Sequence, residues 1–68
     1  MKKIKDKTER MLEIEKEFGE KIEILLHRMY VDESRIIKDI MTALSIDRIT
    51  VYRWLRKAGL YSHRLKIH

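Results

Sequence analysis

Beyond Asp47 the sequence contains no acid, yet Arg48, Arg53, Arg56, Lys57, Arg64 and Lys66 follow it. Guanidinium and ammonium groups gathered without compensating carboxylates bind polyanions, and arginine in particular offers paired donors to phosphates and to base edges. Three of these cations sit in "TVYRWLRKAG", Thr50 to Gly59, where Val51, Trp54, Leu55 and Ala58 recur at helical spacing. A helix over this stretch therefore turns an apolar stripe one way and its cations the other. Trp54, flanked on its own face by Val51 and Leu55, reads as core rather than as a stacking platform for bases.

Other residues with chemical potential lack a constellation. His27, His63 and His68 show no metal-ligand spacing, and there is no cysteine to supply a disulfide or a thiolate zinc site. Glu13, Glu15, Glu17 and Glu20 form a charge run without polar companions, which reads as a solvated helix face and not as a pair of catalytic carboxylates. Neither enzyme activity nor a cofactor, metal or small-molecule substrate is expected.

The distribution of charge sharpens this reading. Residues 1–33 carry eight Lys/Arg against nine Asp/Glu, a net of −1; residues 34–68 carry eight against two, a net of +6. A polyanionic partner for the C-terminal half follows, with nucleic acid ahead of an acidic protein. At 68 residues the chain makes one domain at most, near the lower size limit for a self-sufficient core. No apolar run approaches the ~20 residues of a membrane span. "MKKIKDK" leads into charge and not into an apolar signal core, so the expected location is the cytoplasm, on the nucleoid.

The elements that must position the cations are helices. Proline is absent and only Gly19 and Gly59 occur, so nothing but these two glycines interrupts helical propensity. The spacing predicts an N-terminal helix within 1–18, with Met11, Ile14 and Phe18 on one side, ended by Gly19. A support helix over 20–31 follows, with a stripe of Ile22, Leu25, Leu26, Met29 and Tyr30. A third helix buries Ile36, Ile37, Ile40, Met41 and Leu44, with Asp32 or Ser34 as its N-cap. Only "SID" separates it from the fourth helix. Asp47 is placed to cap that helix on Ile49 or Thr50, Ile46 to touch Val51, and Gly59 to end it in the left-handed conformation. Residues 60–68 form a basic tail. The expected fold is all-α, a three- to four-helix bundle, in one domain of residues 1–68 with a helix-turn-helix over 35–58.

Helix, three-residue turn and capped basic helix make "IKDIMTALSIDRITVYRWLRKAGL" resemble the helix-turn-helix of small prokaryotic and phage DNA-binding proteins of the homeodomain-like, resolvase type. Ile40, Leu44, Ile46, Thr50, Val51, Trp54, Leu55 and Gly59 fall on that pattern, which with the preceding helix covers roughly 15–60. Three residues depart from it: Met41 in place of a small alanine, Ser45 in place of a left-handed glycine, and Ile49 in place of a small polar residue. The resemblance implies sequence-specific binding of double-stranded DNA through a recognition helix at about 48–58, most simply by a transcriptional regulator.

In that setting Arg48 and Arg53 suit base reading, Ile49 a thymine methyl, and Tyr52 a base edge or phosphate. Thr50, Arg56 and Lys57 suit phosphates, with Arg64 and Lys66 following the backbone or entering a minor groove. Two alternatives share the same residues: a module that targets a recombination, packaging or replication complex to DNA, and a helical interaction module for an acidic protein. Met11, Phe18 and Leu25, with Ile4 one heptad earlier, fit a homodimer seam through the N-terminal helix as well as they fit a helix folded onto its own domain.

Overall fold

Four α-helices form where the apolar stripes recur, and the breaks between them fall at residues that leave helical geometry. The computed structural model describes residues 2–61. The helices are α1 (Glu9–Phe18), α2 (Ile22–His27), α3 (Ile37–Leu44) and α4 (Arg48–Lys57), with a π-helical turn, Arg28–Asp32, continuing α2. The fold is all-helical, and no strand occurs among the described residues.

The N-terminal helix is shorter than its sequence suggests. Residues 2–8 are not helical, and α1 begins only after Thr8, whose Oγ1 accepts the Met11 N–H at 3.3 Å. The preceding segment lies along the bundle as an arm. Its Ile4 is buried in the core, and its Lys2 N–H donates to the Ala58 carbonyl at 2.9 Å. Gly19 ends α1 at φ +68°, a conformation open to glycine because it lacks a Cβ.

The core joins all four helices and the arm. Met11 and Ile14 of α1 meet Ile22, Leu25 and Leu26 of α2, and Met29 and Tyr30 of the π turn; Ile40, Leu44, Val51, Trp54, Leu55 and Ala58 close it from α3 and α4. Two expected core residues lie outside it. Phe18, the last residue of α1, is 40% exposed, and Ile36 is 58% exposed. Ile36 is itself the N-cap of α3 and makes no side-chain cap bond, so neither Asp32 nor Ser34 caps that helix. The reason is the π turn. It carries the chain past both residues, leaving Asp32 near His27 and Ser34 at φ +48° with its hydroxyl donating to the Val31 carbonyl.

The heptad series of Ile4, Met11, Phe18 and Leu25 does not form a surface seam. Ile4, Met11 and Leu25 point into the core of their own chain, and Phe18 is the one member left exposed. The N-terminal residues instead build a charged knot. Lys7 reaches both Glu15 and Glu23, the latter at 3.0 Å. Glu15 Oε2 also accepts the Ile22 N–H at 2.8 Å, and Glu23 Oε2 accepts the Ile4 N–H at 3.1 Å. Glu23 Oε1 is the oxygen that faces the Lys7 ammonium. Glu15, expected on a solvated face, is thus a structural residue that ties α1 to α2 and to the arm.

Candidate nucleic-acid interface

The cationic helix α4 is held at both ends. At its start Asp47 Oδ1 accepts the Thr50 N–H at 3.1 Å, satisfying one of the orphan donors of the first turn. The Thr50 hydroxyl, foremost, and then that N–H hold the Asp47 carboxyl below the usual carboxylate range. At its end Gly59 adopts φ +70°; its N–H donates to the Arg56 carbonyl at 3.0 Å, and the Leu60 N–H donates to the Leu55 carbonyl at 2.8 Å. This paired closure satisfies the last carbonyls and folds Leu60 back into the core.

The turn between α3 and α4 is Ser45, Ile46 and Asp47. Ser45 stands at φ +54°, in the left-handed region where a side chain costs about 1–2 kcal/mol relative to glycine. Its conformation is the one the sequence pattern reserves for glycine. The turn is secured from outside: the Ile46 N–H donates to the Met41 carbonyl at 3.1 Å, and Arg10 Nη2 of α1 donates to the Leu44 carbonyl at 2.8 Å. Ile46 and Met41 are both half-buried against the core, so the larger Met41 is accommodated between the helices.

Burial of Val51, Trp54 and Leu55 fixes which residues face out. Arg48, Ile49, Arg53, Arg56 and Lys57 are exposed, and Thr50 and Tyr52 are half-buried on the flanks. Ile49 is 63% exposed, an apolar side chain standing among cations. Tyr52, Arg53 and Arg56 join Ile49 around one shallow concavity that Tyr61 closes. Tyr61 meets Tyr52 edge to face at 5.5 Å between centroids, and the Arg56 guanidinium lies 5.3 Å from its ring. On the other flank Thr50, Arg53 and Lys57 border an open cleft of about 400 Å³ against Thr8 and against Arg10 of α1.

Among the described residues, Arg48, Arg53 and Lys57 make no salt bridge, whereas Arg10, Arg28 and Arg35 each pair with a glutamate. Several lysines elsewhere are also without a salt bridge, so what sets α4 apart is that it carries four cations and no acid. Of the expected site residues, the structure gathers Arg48, Ile49, Thr50, Tyr52, Arg53, Arg56 and Lys57 on this one helix. Arg64 and Lys66 lie outside the described residues.

Two neighbours of this face are not among the residues expected from the sequence. Tyr61 orders Arg56, and no local pattern in the tail marks it. Lys2, Lys3 and Lys5 of the arm come to the C-terminal end of α4, where Lys3 and Lys5 share a concavity with Lys57. The signal that could have found the arm is Thr8 followed by Glu9, an N-cap and a first-turn acid, which starts the helix too late to include these lysines. No family model, no curated protein and no solved structure matches the chain.

Proposed function

We propose that the protein binds double-stranded DNA sequence-specifically, with α3 and α4 acting as a helix-turn-helix and α4 as the recognition helix, most simply as a transcriptional regulator. The observation that carries this reading is the exposed face of α4, where salt-bridge-free arginines surround an exposed isoleucine. An α-helix with side chains is about 10–12 Å across and a B-form major groove about 12 Å wide, so this face fits the groove. Arg48 and Arg53 read base edges, Ile49 contacts a thymine methyl, and Tyr52 and Arg56 act as a unit with Tyr61. Lys57 contacts phosphate. Thr50, engaged with Asp47, contributes through the helix start more than through a phosphate bond of its own.

Arg53→Ala tests the assignment. On a preferred duplex it should weaken binding by about 1–3 kcal/mol and relax the preference at one base pair. Equal loss on every sequence would move Arg53 to the phosphate contacts. No loss on any duplex would remove α4 from the interface.

A further inference from the structure

The arm of residues 2–8 is tied down at both ends, to the close of α4 at its start and to α1 and α2 farther along. Near its start the Lys2 N–H bonds the Ala58 carbonyl, and the aliphatic part of Lys2 lies across Gly59, 3.4 Å from where a Cβ would stand. Farther along, Ile4 is buried, its N–H is held by Glu23, and Lys7 is locked between Glu15 and Glu23. Between these anchors Lys3 and Lys5 are exposed. They share their concavity with Lys57, against a single acid, Asp6. Lys57 also borders the cleft that contains Arg53. The positive surface is thus continuous from Arg53 through Lys57 to Lys3 and Lys5, although these residues come from opposite ends of the described chain.

We infer that the arm is a second DNA-contacting element, with Lys3 and Lys5 binding backbone phosphates beyond the C-terminal end of α4; this rests on the DNA-binding reading above. Ten helical residues span about 15 Å, more than the ~12 Å width of the groove, so a helix crossing the groove brings its end to the phosphate wall. The end of α4 carries Lys57, and the docked arm places two more ammonium groups beside it. Because the arm is anchored, little ordering entropy opposes these contacts. Lys2 is engaged in the closure of α4, so Lys3 and Lys5 are the residues to vary.

The test is the salt dependence of binding to a mixed-sequence duplex and to a preferred duplex, for wild type and for the double variant Lys3→Gln/Lys5→Gln. Each phosphate contact contributes about 0.9 to the slope of log K against log salt. The slope should fall by about 1.8, and the variant's deficit should shrink about tenfold between about 50 and about 200 mM salt. Sequence preference should stay unchanged, unlike that of Arg53→Ala. Lys3→Arg/Lys5→Arg should keep the wild-type slope, which separates charge from any effect on folding. Lys16→Gln, exposed in the last turn of α1, should also leave it unchanged. A double-Gln slope equal to that of wild type would overturn the arm's role while leaving α4's intact. Failure of wild type to bind any duplex would overturn the DNA reading and this inference with it.

Discussion

Helices α1 and α4 have the same length and nearly the same boundaries, yet they use charge in opposite ways. Each has ten residues. Each starts on a side chain that accepts a backbone N–H three residues on, from Thr8 to Met11 and from Asp47 to Thr50. Glycines near +70° follow both, Gly19 at +68° and Gly59 at +70°. In α1 acids outnumber bases by four to two, and two of the acids are engaged: Arg10 pairs with Glu13, and Lys7 of the arm holds Glu15. In α4 the helical acids are missing altogether, and the cations face out. Boundary signals establish that a helix forms; the charge on its outer face establishes what it can meet.

Substitutions can break this comparison, beginning with the aromatic on each helix. Trp54 is 4% exposed and Phe18 40%. Trp54→Ala should cost about 3–5 kcal/mol of stability, as burial of a large aromatic requires, and the proposed duplex binding should be lost with the fold. Phe18→Ala should cost ~1 kcal/mol or less. Denaturant melts of the two variants measure both. Comparable losses would mean that α1 and α4 share the core more evenly than their burial indicates.

Charge removal comes next. Lys7→Met leaves Glu15 and Glu23 facing one another at the edge of the core and should cost about 2 kcal/mol near neutral pH, below the ~3–5 typical of fully buried pairs. Hydrogen bonding to Lys7 is the main cause that lowers the Glu15 pKa. At Glu23 burial opposes ionisation but is outweighed by bonds from its own N–H, from Lys7 and from the Ile4 N–H. Both folded pKa values are depressed, so this stability is complete above the ordinary carboxylate value of 4.5 and is lost as pH falls through the folded values. The Lys7 pKa is raised, chiefly by Glu15, so its share is lost at the other extreme, as pH climbs through a value above 10.5. Melts across pH should show a shallower acid dependence in Lys7→Met than in wild type.

The two N-caps differ in a finer way. Thr8→Ala should cost ~1 kcal/mol at any pH, because a hydroxyl cap does not titrate in the accessible range. The Asp47 cap is a carboxylate whose pKa is lowered below 3.8, so its contribution is present above that value and is lost as pH falls through the folded pKa. Asp47→Asn should keep a cap and remove its acid sensitivity, as helicity measured by circular dichroism would report. The smallest expected change is a gain. Ser45→Gly relieves a left-handed side chain, and with part of that gain offset by the greater chain entropy glycine loses on folding it should stabilise by about 0.5–1 kcal/mol.

Much of α4 was legible in the sequence because its signals are local. Asp47 precedes a helical stripe, Gly59 follows it, and the cations fall between buried positions. The left-handed Ser45 was legible only through the resemblance, as the residue standing where that pattern carries a left-handed glycine. The arm was legible only in its end, where Thr8 and Glu9 mark the start of α1; its docking was not. Ile4 sits one heptad before Met11, a spacing that imitates a continuing helix, while the contacts that hold the arm are non-local. Lys7, Glu15 and Glu23 lie eight residues apart, a separation that no helical or strand period brings to one point. The partnership of Lys3 and Lys5 with Lys57 depends on that same fold and leaves no mark in either segment alone. Nor could composition foretell the π turn, which moved Asp32 and Ser34 away from the start of α3.

Whether α4 reads base pairs is decided by selection of bound duplexes from a random library at low and at near-physiological salt. Phosphate contacts weaken steeply with salt, whereas base readout persists as a preference. Base readout by α4 should enrich one sequence at both concentrations, lost or relaxed at one position in Arg53→Ala. Binding that disappears with salt and enriches nothing would contradict it, and would make the α4 face a general polyanion surface.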